Sequence, residues 1–196
     1  PVTLIGHSLG GSIATRYAGV FPEAVRRLVT IEGLGPSPQR QAEFAKRTID
    51  MRLADWIAEG RRLAGRHPRR YGSIDEALTR MQAANERLSH EQTLHLTRHA
   101  ARRNEDGTYG WKFDPYLQFE PPADMTPDDV RLLWSRIACP ALLVYGSESW
   151  ASNPAKDGRA AYFRSGEVAL IEGAGHWVHH DRFEAFMAAV EPFLAG

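Results

Sequence analysis

The run Gly6-His7-Ser8-Leu9-Gly10-Gly11 constrains this chain more than any other stretch. The apolar Val2-Thr3-Leu4-Ile5 leads into it, and a helix-forming segment from Leu9 to about Ala18 leads out. A G-x-S-x-G between strand and helix makes a tight, strained turn that lifts the serine hydroxyl above the sheet edge. Gly6 and Gly10 are expected there because a Cβ at either position would crowd the neighbouring backbone. The Leu9 N–H then opens a helix, where orphan amides and the helix dipole favour an oxyanion. The alternative is a tight connection that carries an inert serine.

The segments around this turn predict an α/β fold. Val2–Ile5 is apolar throughout, as in a parallel strand buried on both faces. A second strand over Arg27 to Ile31 completes a βαβ unit, and the glycine- and proline-rich Glu32–Pro38 ends it. Beyond Gln39, Ala42, Ala45, Ile49, Leu53, Trp56 and Ile57 recur at helical steps, predicting one helix to about Gly65. Ser73-Ile74-Asp75-Glu76 and Ser89-His90-Glu91-Gln92 read as capping boxes, opening helices to about Leu88 and Asn104. Asp106-Gly107 is a turn, and Trp111 to Pro122 is irregular and rich in aromatics. Thr126-Pro127-Asp128-Asp129 caps a helix through Ile137. Ala141–Tyr145 and Val168–Ile171 read as further strands, and Asp181 to Leu194 as the last helix. The prediction is a parallel-sheet core from residues 1–35 and 136–196, interrupted by a helical insertion over 36–135.

A serine hydroxyl is a weak nucleophile until a base takes its proton. His176, in Gly173-Ala174-Gly175-His176-Trp177 just past a strand, is placed to be that base. His179 and His180 read as capping or solvent-facing. A carboxylate must then hold the imidazole, and two are available. Glu32 ends the strand Arg27–Ile31, at the edge where open parallel sheets bind ligands. Glu148, in the loop after Ala141–Tyr145, is the alternative acid. Trp56, Tyr109, Trp111, Phe113, Tyr116, Phe119 and Trp134 mostly pack the insertion onto the core. Trp111, His7 and Trp177 are the candidates for pocket walls.

Charge and cysteine usage narrow the partners. The 196 residues carry no formal net charge, and the sequence pI of about 7.6 points to neither nucleic acid nor an anionic membrane. No apolar run approaches the ~20 residues of a membrane span. Cys139 is the only cysteine, so no intrachain disulfide forms, and a cytoplasmic location is expected. Because Pro1 opens directly onto an apolar strand, the chain reads as the C-terminal portion of a longer protein.

Three matches then come in order: Gly-His-Ser-Leu-Gly-Gly at 6–11, Cys-Pro-Ala-Leu-Leu-Val-Tyr-Gly at 139–146 and Gly-Ala-Gly-His-Trp-Val-His-His at 173–180. On these the chain resembles the α/β-hydrolase superfamily, most like bacterial hydrolases related to the mesoderm-specific transcript and serine-hydrolase-like proteins. The resemblance implies a helical cap on the C-terminal part of an α/β-hydrolase sheet. It also implies a hydrolase without metal or other cofactor, acting on an ester, thioester or related bond of a small molecule. Ser8, His176 and an acid would be its triad. Ser149 stands where the family's Gly-x-x-Asp motif has its aspartate. Glu32 stands where one subgroup of haloalkane dehalogenases carries its acid, although Ser8 in place of their aspartate nucleophile argues against dehalogenation. The resemblance places further strands and a second oxyanion donor upstream of Pro1. The complete parent is therefore expected to be active, and this chain alone inactive and prone to aggregate through a bare apolar edge. Hydrolysis of C–C bonds or lactones, acyl transfer, and ligand binding without catalysis are the alternatives that such a fold supports.

Overall fold

A computed structural model describes residues 1–114, 116, 117, 119 and 125–196. In chain order it contains β1 (Val2–His7), α1 (Leu9–Val20), a 3-10 turn at Pro22–Ala24 and β2 (Val25–Ile31). Next come α2 (Pro38–Ala45), α3 (Ile49–Ala64), α4 (Ile74–Ala84), α5 (His90–Ala100), β3 (Ala101–Arg103) and β4 (Tyr109–Trp111). The chain ends with α6 (Pro127–Arg136), β5 (Ala141–Gly146), α7 (Pro154–Asp157), a 3-10 turn at Arg159–Tyr162, β6 (Gly166–Ile171), α8 (Val178–Asp181) and α9 (Phe183–Ala195).

These elements form two compact units, Pro1–Lys46 with Met125–Gly196, and Arg47–Asp124. The first holds a parallel sheet in the order β1-β2-β5-β6. Alternation along its inner strands sends side chains to opposite faces. Leu28, Leu143 and Tyr145 pack with Ala14 and Ala18 of α1 and with Trp134 and Ile137. Val29, Leu142 and Val144 pack with Val178 of α8 and with Phe186 and Val190 of α9. Burial on both faces explains why β5 is apolar along nearly its whole length. β1 is an edge of this sheet, and Val2 and Ile5 on it are exposed.

The compact units divide at 46/47 and 124/125, so α2 and α6 belong with the sheet. Trp134, read above with the insertion, is a core residue because α6 packs on α1. The single helix expected from Gln39 to Gly65 is instead α2 and α3. Lys46 caps the first, and the extended backbone of Thr48 (φ −64°, ψ 156°) starts the second. The helix expected to reach Asn104 stops at Ala100, and β3 and β4 form an antiparallel hairpin. Its turn follows from local chemistry: Asp106 Oδ1 accepts from the Thr108 N–H and hydroxyl, and Gly107 takes φ 82°. Strands this short leave too little alternation to be read in advance. Part of the aromatic-rich stretch Trp111–Pro122 lies outside the described residues.

Close approach of α1 and α6 depends on Gly19. A Cβ there would lie 2.5 Å from the Leu133 carbonyl oxygen, and Arg136 Nε donates to the Gly19 carbonyl at 3.0 Å. Gly19→Ala is predicted to destabilise the protein by about 1–3 kcal/mol despite alanine's better helix propensity. The check is a lower urea midpoint at unchanged slope.

Candidate active site

Ser8 and Glu32 are the non-glycine residues with positive φ among the described residues. They follow the paired ends of adjacent strands, since His7 lies opposite Ile31 in the β1–β2 register. Ser8 takes φ 53° and ψ −118° and stands at the N-terminus of α1, with its N–H donating to the Ile31 carbonyl at 2.8 Å. Glu32 takes φ 49°, and its N–H donates to the Val144 carbonyl at 2.9 Å. Side chains with a Cβ adopt such backbones at a cost, and the surrounding ladder holds them there.

Glycine makes the turn at Ser8 possible, though not at both positions expected. A Cβ on Gly6 would sit 2.4 Å from the Gly10 carbonyl oxygen, whereas one on Gly10 would meet nothing within 4 Å. The close approach instead involves Gly11, whose Cβ would lie 2.6 Å from Thr30 Oγ1 and 2.7 Å from the Gly33 Cα. α1 thus seats its second glycine against the end of β2. Leu9 is the first residue of α1, so its N–H is among the amides with no intrahelical acceptor.

The Glu32 side chain is fully buried, and three donors meet its carboxylate. The Gly146 N–H reaches Oε1 at 2.9 Å. The Ser149 hydroxyl and His176 Nδ1 both reach Oε2 at 2.5 Å. Because a carboxylate only accepts, Nδ1 carries the imidazole proton and Nε2 of the neutral ring is an acceptor. Nε2 faces the Ser8 hydroxyl at 3.1 Å. A line of hydrogen bonds therefore runs from the Ser8 hydroxyl through His176 to Glu32. Glu148, the alternative acid, is exposed on the β5 loop, and its backbone N–H donates to the Ala174 carbonyl.

The loop carrying His176 is stitched to its neighbours. The Gly173 N–H donates to Ser147 Oγ, and the Gly175 N–H to Asp181 Oδ2 at 2.7 Å. Gly146 admits the loop, because a Cβ there would lie 2.3 Å from the Ala174 carbonyl oxygen. His7, expected at a pocket wall, donates from Nε2 to the His176 carbonyl at 2.9 Å and so ties down the backbone at His176. Trp177 packs on the His7 and His180 rings. Trp111 lies in the other compact unit, where its indole N–H donates to the Tyr71 hydroxyl.

Several residues at the site carried no sequence signal. Trp150 stacks obliquely on His176 with ring centroids 4.7 Å apart, yet remains 69% exposed. Arg159 is buried: Nε meets both oxygens of Asp157, Nη2 meets the carbonyl and hydroxyl of Ser152, and Nη1 meets the Gly35 carbonyl. It clamps the loop after β2, which starts at Glu32, to the loop after β5, which carries Ser149. Burial pushes the Asp157 carboxyl up, but hydrogen bonds from Arg159 and Ser152 outweigh it and hold the group below its ordinary value. Among the described residues, no group of three or more His, Cys, Asp or Glu could hold a metal ion, and no helix is long and apolar enough to cross a membrane.

A parallel sheet with a strained serine at one strand end and a histidine loop beyond its last strand defines a class of protein, and comparison with known proteins agrees. The profile of the alpha/beta hydrolase family matches residues 1–189, and the chain belongs to that family. It is similar to Esterase YbfF of Escherichia coli K12, at 24% identity over 98% of this chain and 66% of the relative. It is also similar to Esterase Rv0045c of Mycobacterium tuberculosis, at 29% identity over 97% of this chain and 60% of the relative. Its fold matches the thioesterase domain from the curacin biosynthetic pathway, with a TM-score of 0.75 and 21% identity over 98% of this chain and 66% of that one. The chain thus spans somewhat less than two thirds of the length of these relatives.

His179, expected to cap or face solvent, is half-buried and packs on His7 and Phe186. Burial, then the nearby His180, His7 and His176, lowers its pKa to about 4. Burial also lowers His7, against the bond to the His176 carbonyl. Both groups bind protons more readily in the unfolded chain, so both lose stabilising contribution as pH falls; that of His179 is complete above about pH 6.5 and is lost as pH falls toward about 4. The melting temperature should drop across that window. His179→Phe should flatten the drop, as thermal melts over a pH series would record.

Proposed function

We propose that this protein hydrolyses an ester or related acyl bond of a small molecule through an acyl-enzyme on Ser8. The observation that carries this reading is the unbroken line from the Ser8 hydroxyl through His176 to the buried Glu32 carboxylate. His176 Nε2 takes the Ser8 proton as Oγ attacks the substrate carbonyl, and the Glu32 carboxylate steadies the imidazolium that forms. The Leu9 N–H, at the start of α1, stabilises the oxyanion. The imidazolium then protonates the leaving alcohol as the tetrahedral intermediate collapses to the Ser8 ester. In the second half, His176 activates a water that releases the acid and restores Ser8. The names of the two esterase relatives support the choice of bond. In this reading the second unit, inserted between α2 and α6, serves as the cap.

Trp150 offers an apolar wall beside the base, so this reading places an apolar part of the substrate against it. A fluorophosphonate should label Ser8 in the whole folded protein, with folding followed by circular dichroism. Ser8→Ala should abolish labelling, and Glu32→Gln should slow it by about 10⁴-fold. A folded wild type that stays unlabelled would overturn the reading. Trp150→Ala should raise KM about tenfold for esters with bulky apolar acyl groups while leaving acetyl esters nearly unchanged, which a chain-length series in steady-state kinetics would measure.

A further inference from the structure

The geometry assigns Ser149 a role of its own: we infer that its hydroxyl is a positioning group that aims the Glu32 carboxylate at His176. This inference rests on the proposed Ser8–His176–Glu32 triad. Ser149 Oγ accepts the Ala151 N–H at 3.1 Å and lies 2.5 Å from Glu32 Oε2. A hydroxyl has one proton, and a carboxylate cannot donate, so that proton points at Glu32. Ala151 in turn packs against the core cluster behind the loop, which keeps its amide in place.

The division of labour on the carboxylate makes this bond matter. Oε1 is held by the Gly146 amide at 2.9 Å. Oε2, the oxygen that meets His176, is held from the protein side by Ser149. Without the hydroxyl, the Gly146 amide and the imidazole itself remain, and one amide on the opposite oxygen fixes the carboxylate plane less firmly about its last torsion. Hydrogen bonds to charged groups are about twice as strong as neutral ones, so a well-aimed hydroxyl here carries weight. It also replaces the water that a buried carboxylate otherwise demands. Ser149 touches neither Ser8 nor the reacting carbonyl, and it acts only through Glu32.

The test compares wild type, Ser149→Ala, Ser149→Thr and Glu32→Gln. Two readouts are taken: the concentration dependence of fluorophosphonate labelling at Ser8, and the downfield proton resonance of His176 Nδ1–H. Ser149→Ala should lower the maximal labelling rate about tenfold at an unchanged half-saturating concentration, and should move the Nδ1 proton upfield. Ser149→Thr keeps the hydroxyl and should restore both. The inference is overturned if Ser149→Ala labels at the wild-type rate. It is equally overturned if alanine and threonine variants slow alike while the resonance stays in place, because the loss would then be structural. Failure of the triad itself reads differently: wild type would not label, or Glu32→Gln would label as fast as wild type.

Discussion

A carboxylate with no access to water has to be solvated by the protein, and in this chain the Glu32 carboxylate sets the terms for the architecture around it. Leaving such a charge unpartnered would cost several kcal/mol. Its three donors come from the end of β5, the loop after β5 and the loop after β6. One anion at the end of β2 thus gathers two segments far from it in sequence, 146–149 and the loop at His176, and the arrangement that satisfies it also presents His176 to Ser8. The buried Arg159 pair with Asp157 serves the same end from below, fixing the loop backbones on either side. Lysine could not replace that arginine, because only a planar fork reaches Asp157, Ser152 and Gly35 together.

Sheet register does the rest. Parallel pairing of β1, β2 and β5 brings Ser8, Glu32 and the Gly146 amide to one edge. Helices on both faces bury the inner strands, which makes their register hard to slip. The elements closest to the chemistry are therefore also among the most firmly packed, and only the side chains and loops at their ends vary.

Much of this was legible in the sequence, for reasons that differ by residue. Ser8 was readable because a strained turn demands glycine nearby, and Gly6 shows the demand directly. His176 and Glu32 were readable because parallel sheets place function at strand ends. The choice between Glu32 and Glu148 stayed open because it depends on which side chain is buried beside the imidazole, a matter of register between distant strands. Trp150 gave no signal for the same reason, and Ser149 drew notice only as the residue at the family's usual acid position: a serine or a tryptophan in a loop does not declare its role until its neighbours are known. Gly10 was misread for its neighbour Gly11, because proximity to a motif does not say which glycine faces the sheet. The split of the long helix at Lys46–Thr48 and the short β3–β4 hairpin were hidden by local signals too weak to compete with a continuous apolar stripe.

The two left-handed residues standing side by side have an evolutionary reading. Each holds conformational energy, of order 1–3 kcal/mol, that a residue without a Cβ would not store. The residues that carry the proposed chemistry are thus the ones the backbone would most readily exchange. A descendant released from selection for turnover should drift toward glycine at Ser8 and become sturdier as it falls silent, whereas at Glu32 the three donors that its carboxylate satisfies oppose the same exchange. In this fold, loss of catalysis and gain of robustness would arrive as one event.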